Sequence, residues 1–353
     1  MQEVHDAPLA PLTTFRLGGP ARKLVTATTD AELIAAVRAA DADGTPLLLI
    51  GGGSNLVISD DGFDGTAVRI ATTGFALDGT TLEIAAGEVW SDAVARTVEK
   101  GLAGIECLAG IPGSAGATPI QNVGAYGQEV SSTLTEVVAY DRRTGETVTI
   151  PNAECGFSYR NSRFKAEPDR FVVLRVRFEL TDADGYSAPI RYAETARALG
   201  VATGDRVPLA RAREAVLALR AGKGMVLDAA DHDTWSAGSF FTNPILTEDA
   251  FAAFAARVRE RLGEGVEPPV YPAGEGRVKT SAAWLIDKAG FGKGYPGGAA
   301  RVTISTKHTL ALTNRGGATT RELLALAREV AAGVHAAFGV QLVNEPVTVG
   351  CAL

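Results

Sequence analysis

Residues 51–55 read Gly51-Gly52-Gly53-Ser54-Asn55, directly after the apolar run Leu47 to Ile50. Three glycines let successive backbone N–H groups turn inward with no Cβ in the way, and they tolerate positive φ. A concave set of amides of this kind binds phosphate oxygens. The Ser54 hydroxyl and the Asn55 amide add donors. Taken alone, the run also suits a tight turn. A second run, Gly110 to Gly127, is harder to read as punctuation. Its small residues let the backbone approach a flat ligand, and Gln121, Asn122 and Tyr126 supply specific donors and acceptors. Two such loops suggest a ligand with a pyrophosphate and an extended ring system. No GxGxxG fingerprint of a dinucleotide fold follows a strand here, and the GxxxxGK[ST] of a P-loop does not occur.

The elements around these loops follow from pattern. Thr29 is placed to cap a helix from Asp30 to about Ala40, with Glu32 completing a capping box. Leu47 to Ile50 reads as a short buried strand and Leu82 to Ala85 as another. A helix follows Ser91 and stops at Gly101. The stretch from Gly104 to Gly127 has almost no regular periodicity, and a loop that long is usually functional. Strands are expected at Glu136 to Tyr140, Thr147 to Ile150 and Phe171 to Leu180, and a helix at Val207 to Arg220. Ala221 to Ser236 reads as a linker. Beyond it, helices are expected from Thr247 to about Leu262, from Ser281 to about Lys288 and from Thr320 to Phe338, with a strand at Thr309 to Thr313. The pattern is an α+β first part followed by a smaller α/β part.

Composition narrows the classes of partner. The 353 residues suit two or three domains. A formal net charge of -7 disfavours nucleic acid or an anionic membrane as partner, though a local basic pocket can still take an anionic small ligand. Cys107, Cys155 and Cys351 are scattered, so neither a disulfide framework nor a zinc site is expected. Met1 to Thr14 lacks the basic-then-apolar pattern of a leader, and no apolar run approaches the ~20 residues that span a bilayer. A cytoplasmic protein without metal is expected.

With these motifs in view, the sequence resembles the UDP-N-acetylenolpyruvoylglucosamine reductases, also called UDP-N-acetylmuramate dehydrogenases. The resemblance runs from TTFRLGG at Thr13 to Gly350. It is carried by GGGSN at Gly51, GIPGSAGATPIQNVGAYGQE at Gly110, YRNSRFK at Tyr159, AGSFFTNP at Ala237 and NEPVTVG at Asn344. It implies a two-part FAD-binding domain of the vanillyl-alcohol-oxidase type plus a smaller α/β substrate domain. The implied boundaries are 1–70 and 71–222 for the two flavin subdomains and 223–338 for the UDP-sugar domain, with the tail 339–353 returning to the first subdomain. It implies non-covalent FAD, because Ser54-Asn55 stands where related oxidases tether the flavin near a histidine. It assigns the cofactor to Gly51, Gly52, Gly53, Ser54 and Asn55, then to Ile111, Pro112, Gly113, Ser114, Gly116 and Ala117, and last to Asn122, Gly124, Ala125 and Tyr126.

The resemblance also implies the reaction. NADPH reduces the flavin and leaves, and the enolpyruvyl UDP-sugar then takes hydride at its terminal vinyl carbon. Ser239 is implied as proton donor, Arg160 as the partner of the enolpyruvyl carboxylate, and Glu345 as the acid that polarises that carboxylate or relays the proton. Around the UDP-sugar it implies Tyr192, Lys223, Asn243, Tyr271 and Lys279, with His308 where relatives can carry glutamine. Tyr192 matches the subtype with a tyrosine loop over the substrate. A monomer is expected. The alternative is an oxidase of alcohols or aldonolactones on the same flavin domain, which would release hydrogen peroxide.

Overall fold

The computed structural model describes residues 1–353, which divide into two compact units. The first comprises residues 1–7, 21–53 and 64–226, and the second residues 8–20, 54–63 and 227–353.

The first unit holds two main sheets and two short two-stranded pairs. One has four strands in the order Gln2–Pro8, Pro20–Ala27, Phe63–Ile70, Leu47–Ile50. Its last pair is parallel, with Leu47 opposite Thr66 and Ile50 opposite Arg69. The helix Asp30–Ala42 buries Leu33, Ala36 and Val37 against Val25 and Val68. Thr29 caps this helix by accepting from the Glu32 N–H at 3.2 Å, but the capping box does not close. Glu32 turns instead to the Thr28 N–H and to the Met1 amino group, which together hold its carboxyl at about 2. A nearby ammonium outcompetes a backbone amide for a carboxylate.

The second sheet has five antiparallel strands in the order Glu146–Pro151, Leu134–Asp141, Phe171–Glu179, Thr81–Ala85, Phe75–Asp78. The central strand, Phe171–Glu179, carries a β-bulge. Ala139 faces Val173 while Val138 faces Arg175, so Leu174 is the extra residue. A bulge reverses the alternation of side chains. Phe171 and Val173 before it, and Val176 and Phe178 after it, therefore all reach one core. Val172 and Leu174 reach the core under the four-stranded sheet, and so tie the two sheets together.

The helix expected after Ser91 begins at Trp90 and ends at Glu99. Ser91 is free for another task and accepts the Gly110 N–H at 3.1 Å. Trp90 is buried against Phe178 and donates its indole N–H to the Leu108 carbonyl. The helix expected from Val207 starts at Leu209, because Pro208 stands before it with an extended ψ of 131°. Residues 104–127 form only short 3-10 turns and the start of a two-residue hairpin, as the lack of periodicity predicts.

The second unit is built on the helix Thr320–Phe338, closed at its start by a capping box between Thr319 and Glu322 and at its end by Gly339 at φ 71°. Leu323, Ala327, Val330 and Val334 pack it against Phe254 and Val258 of the helix Glu248–Leu262 and Leu285 of the helix Ala282–Lys288. Its strands are short. Val302–Ile304 and Leu312–Asn314 form an antiparallel pair, and Ile245–Thr247, Arg277–Lys279 and Tyr271–Pro272 form a three-stranded sheet. Leu56–Ile58 runs parallel to Val347–Val349. The strand expected at Thr309 to Thr313 begins only at Leu312. Residues 308–311 are a turn, closed by the Ala311 N–H on the His308 carbonyl.

Candidate active site

In the first unit the two glycine loops interlock. A Cβ on Gly52 would lie 2.5 Å from the Gly113 Cα, and a Cβ on Gly51 2.3 Å from the Ser114 Oγ. Gly116 leaves no room for a Cβ either, because Ala86 stands 2.4 Å away. Glycine at these positions therefore sets the distance between two backbones, which is what a preformed cradle for a flat cofactor requires. The second loop is also pinned at its base. Ala115 donates to the Glu88 carbonyl and Gly116 to the Ala86 carbonyl. Gly52→Val is expected to force the loops apart at a cost of about 1–3 kcal/mol and to yield a chain that retains less flavin. The ratio of flavin to protein absorbance after gel filtration measures this, and an unchanged ratio would contradict the cradle.

Three expected site residues have a left-handed backbone although none is glycine: Asn122 at φ 45°, Tyr126 at 50° and Arg160 at 52°. Such conformations carry strain and cluster where function fixes a side chain's direction. The Asn122 side chain is buried and engaged. Its Nδ2 donates to Glu129 at 3.1 Å, and its Oδ1 accepts the Ser131 N–H at 3.0 Å. Asn122 thus shapes the loop from within. Arg160 is half-buried and donates from Nη2 to the Gly124 carbonyl at 3.1 Å, which ties it to the second glycine loop. Ile111, Pro112, Ala117 and Ala125 lie along that loop.

Tyr126 meets Tyr192 edge to face, with ring centroids 5.5 Å apart. The Lys223 ammonium lies 5.6 Å from the Tyr126 centroid and 2.6 Å from a Glu194 carboxylate oxygen. Burial is the largest influence on Lys223 and opposes its charge, but the Glu194 hydrogen bond and the nearby Tyr126, Glu194 and Tyr192 groups together outweigh it and hold the amine above its usual range. Arg220, three residues earlier, was not anticipated. It donates from Nη2 to the Met225 carbonyl, while its buried Nε has no partner. Burial pulls its guanidinium down to about 10, with the Arg160 charge adding in the same direction. It remains a cation at neutral pH. Its position on the helix that ends beside Lys223 was the available sign.

In the second unit, Ser239 and Glu345 are carried by neighbouring strands of chain. The Glu345 N–H donates to the Phe240 carbonyl at 2.8 Å, and Phe241 bridges Asn344. Phe240 and Phe241 are both buried and meet edge to face, so they anchor the segment that presents half-buried Ser239. The Phe240 N–H donates to the Leu310 carbonyl, and the Leu310 N–H donates to the His308 Nδ1 at 3.1 Å. In the neutral ring the proton then sits on Nε2, which leaves His308 a donor there. Asn55 donates from Nδ2 to the Glu345 carbonyl and accepts the Val347 N–H, so the residue after Ser54 steadies Glu345.

The TTFRLGG segment has a positional task in the same place. The Thr14 hydroxyl donates to the Ser236 carbonyl, and the Asn314 side chain donates to the Phe15 carbonyl. Arg16, at φ 54°, lies over the Trp235 ring at 4.3 Å. Asn243 accepts the Ala282 N–H and so supports the start of a helix. Tyr271 and Lys279 face each other in the three-stranded sheet.

Each cysteine thiol is free. Burial pushes Cys107 up to about 12 and Cys155 to about 11, so neither is a nucleophile at neutral pH. No helix is long and apolar enough to cross a membrane.

Comparison with known proteins names this combination of loops. Residues 21–151 match the FAD binding domain family, and residues 230–349 match the UDP-N-acetylenolpyruvoylglucosamine reductase C-terminal domain. A UDP-N-acetylenolpyruvoylglucosamine reductase of Streptomyces coelicolor is 81% identical over 353 residues, covering 100% of this chain and 92% of the relative. The chain belongs to the UDP-N-acetylenolpyruvoylglucosamine reductase family. One from Thermobifida fusca is 59% identical, covering 99% of this chain and 98% of the relative. The crystal structure of the Thermus caldophilus reductase superimposes with a TM-score of 0.66 at 25% identity, covering 99% of this chain and 98% of that one. The chain is an FAD-binding oxidoreductase of mixed helix and strand that carries an FAD-binding domain and the C-terminal domain of this family. Family membership decides against the oxidase alternative.

Proposed function

We propose that this chain reduces the enolpyruvyl ether of UDP-N-acetylglucosamine to UDP-N-acetylmuramate in peptidoglycan precursor synthesis, with NADPH as electron donor. The interlocked glycine loops would hold FAD without a covalent tether, and the bound flavin supplies hydride to the vinyl carbon. No histidine occurs between His5 and His232, so the loop region has none to tether it.

The remaining tasks fall to side chains. Addition at the vinyl carbon leaves carbanion character next to the carboxylate. The planar guanidinium fork of Arg160 suits that carboxylate. Ser239 gives the proton that quenches the carbanion. Serine is a weak acid, and Glu345, on the adjoining segment, is its relay partner. Lys223 and Lys279 oppose the diphosphate charge, while Tyr192, Asn243, Tyr271 and His308 bind the rest of the UDP-sugar. The domain scheme we propose divides the chain at residues 70, 222 and 338, in a cytoplasmic monomer.

One observation supports the reading above the others: the Glu345–Phe240 backbone hydrogen bond, which sets the Ser239 segment against the Glu345 segment. The test is an anaerobic visible spectrum. NADPH should bleach a yellow protein, and enolpyruvyl UDP-N-acetylglucosamine should restore the colour. Recolouring only by oxygen, with peroxide release from an alcohol, would overturn the reading.

A further inference from the structure

Three chain segments of the first unit meet at Tyr126. Gly127 packs against Arg191, where a Cβ would lie 2.9 Å from the Arg191 Cβ. Tyr192, exposed and directly before the helix Ala193–Leu199, sets its ring edge-on to Tyr126. Lys223, just after the helix Leu209–Gly222, brings its ammonium to the same ring. Glu194, in the first turn of Ala193–Leu199, pairs with that ammonium at 2.6 Å. Arg220, hydrogen-bonded to the Met225 carbonyl, adds a further positive charge beside Tyr126.

We propose that Glu194 is a positioning residue that acts as the counterion of Lys223 in the ligand-free chain, and that a nucleoside diphosphate displaces it. This deepens the functional reading above and rests on it for the diphosphate. A carboxylate and a diphosphate compete for one ammonium, and both cannot sit against it without mutual repulsion. Because Tyr192 directly precedes the helix whose first turn carries Glu194, the exchange also loosens Tyr192 from Tyr126. Glu194 therefore weakens binding of the diphosphate while it keeps Lys223 aimed and the two tyrosines together before the ligand arrives.

The test is calorimetric titration of the FAD-loaded chain with UDP. Glu194→Gln removes the competing charge and keeps the shape. The pair is partly exposed, so UDP should bind about 2- to 5-fold more tightly. The gain should vanish when Lys223→Met is added. Glu194→Ala should also tighten binding, which guards against an artefact of the glutamine amide. Unchanged or weaker binding in both variants, from a wild type that turns over the enolpyruvyl substrate, overturns the counterion role and leaves the function standing. A wild type that neither binds UDP nor turns over the substrate overturns the functional reading, and the counterion role falls with it.

Discussion

Replacing Ser239 by alanine should leave NADPH reduction of the flavin at its wild-type rate and slow reoxidation by the enolpyruvyl substrate by roughly 10²- to 10⁴-fold, the usual worth of a positioned general acid. The split between the two half-reactions is the informative part. Phe240 and Phe241 fix the Ser239 segment through their own burial and through the Leu310 and Glu345 hydrogen bonds, none of which uses the Ser239 hydroxyl. The alanine variant should therefore fold normally. Stopped-flow absorbance under anaerobic conditions reads both halves, and equal slowing of the two would remove Ser239 as the proton source.

Arg160→Met should cost roughly 10²- to 10³-fold in reoxidation, the scale expected when a charge-stabilising donor is lost. The substrate KM should rise as well, because the carboxylate is bound before the reaction. Arg160→Lys should recover only part of the loss, since a point charge lacks the fork. There is a competing structural role to exclude. Arg160 donates to the Gly124 carbonyl in the second glycine loop, so its removal would release FAD if that tie were its main purpose. A methionine variant that keeps its flavin and still fails in reoxidation supports the carboxylate role. One that loses its flavin refutes it.

The sequence was most legible where one local rule acted alone. The helix Thr320–Phe338 matched its expected ends, because its capping box, its apolar stripe and Gly339 agree. Phe171–Glu179 was legible as a strand from its β-branched and aromatic residues, but its bulge was not, since the extra residue is defined only against Leu134–Asp141. Glu32 misled for a related reason: its better partner, the Met1 amine, is distant in sequence. At the candidate site, the glycine loops were readable as loops, but their interlocking at Gly52 and Gly113 was not. Arg220 and Glu194 were passed over because an arginine and a glutamate on helices are ordinarily solvated. Only the Tyr126 neighbourhood gives them meaning.

The parallel pairing of Leu56–Ile58 with Val347–Val349 also governs how the second unit is made. Asn55 and Glu345, joined by a hydrogen bond, are 290 residues apart. During synthesis the early partner emerges long before the late one, so residues 54–63 wait without their edge until nearly the whole chain has been released. The first unit has all its own segments by residue 226 and can condense meanwhile. The Ser239–Glu345 neighbourhood therefore cannot assemble before the end of the chain has emerged, and a chain cut short of Glu345 would lack the pair proposed to deliver the proton.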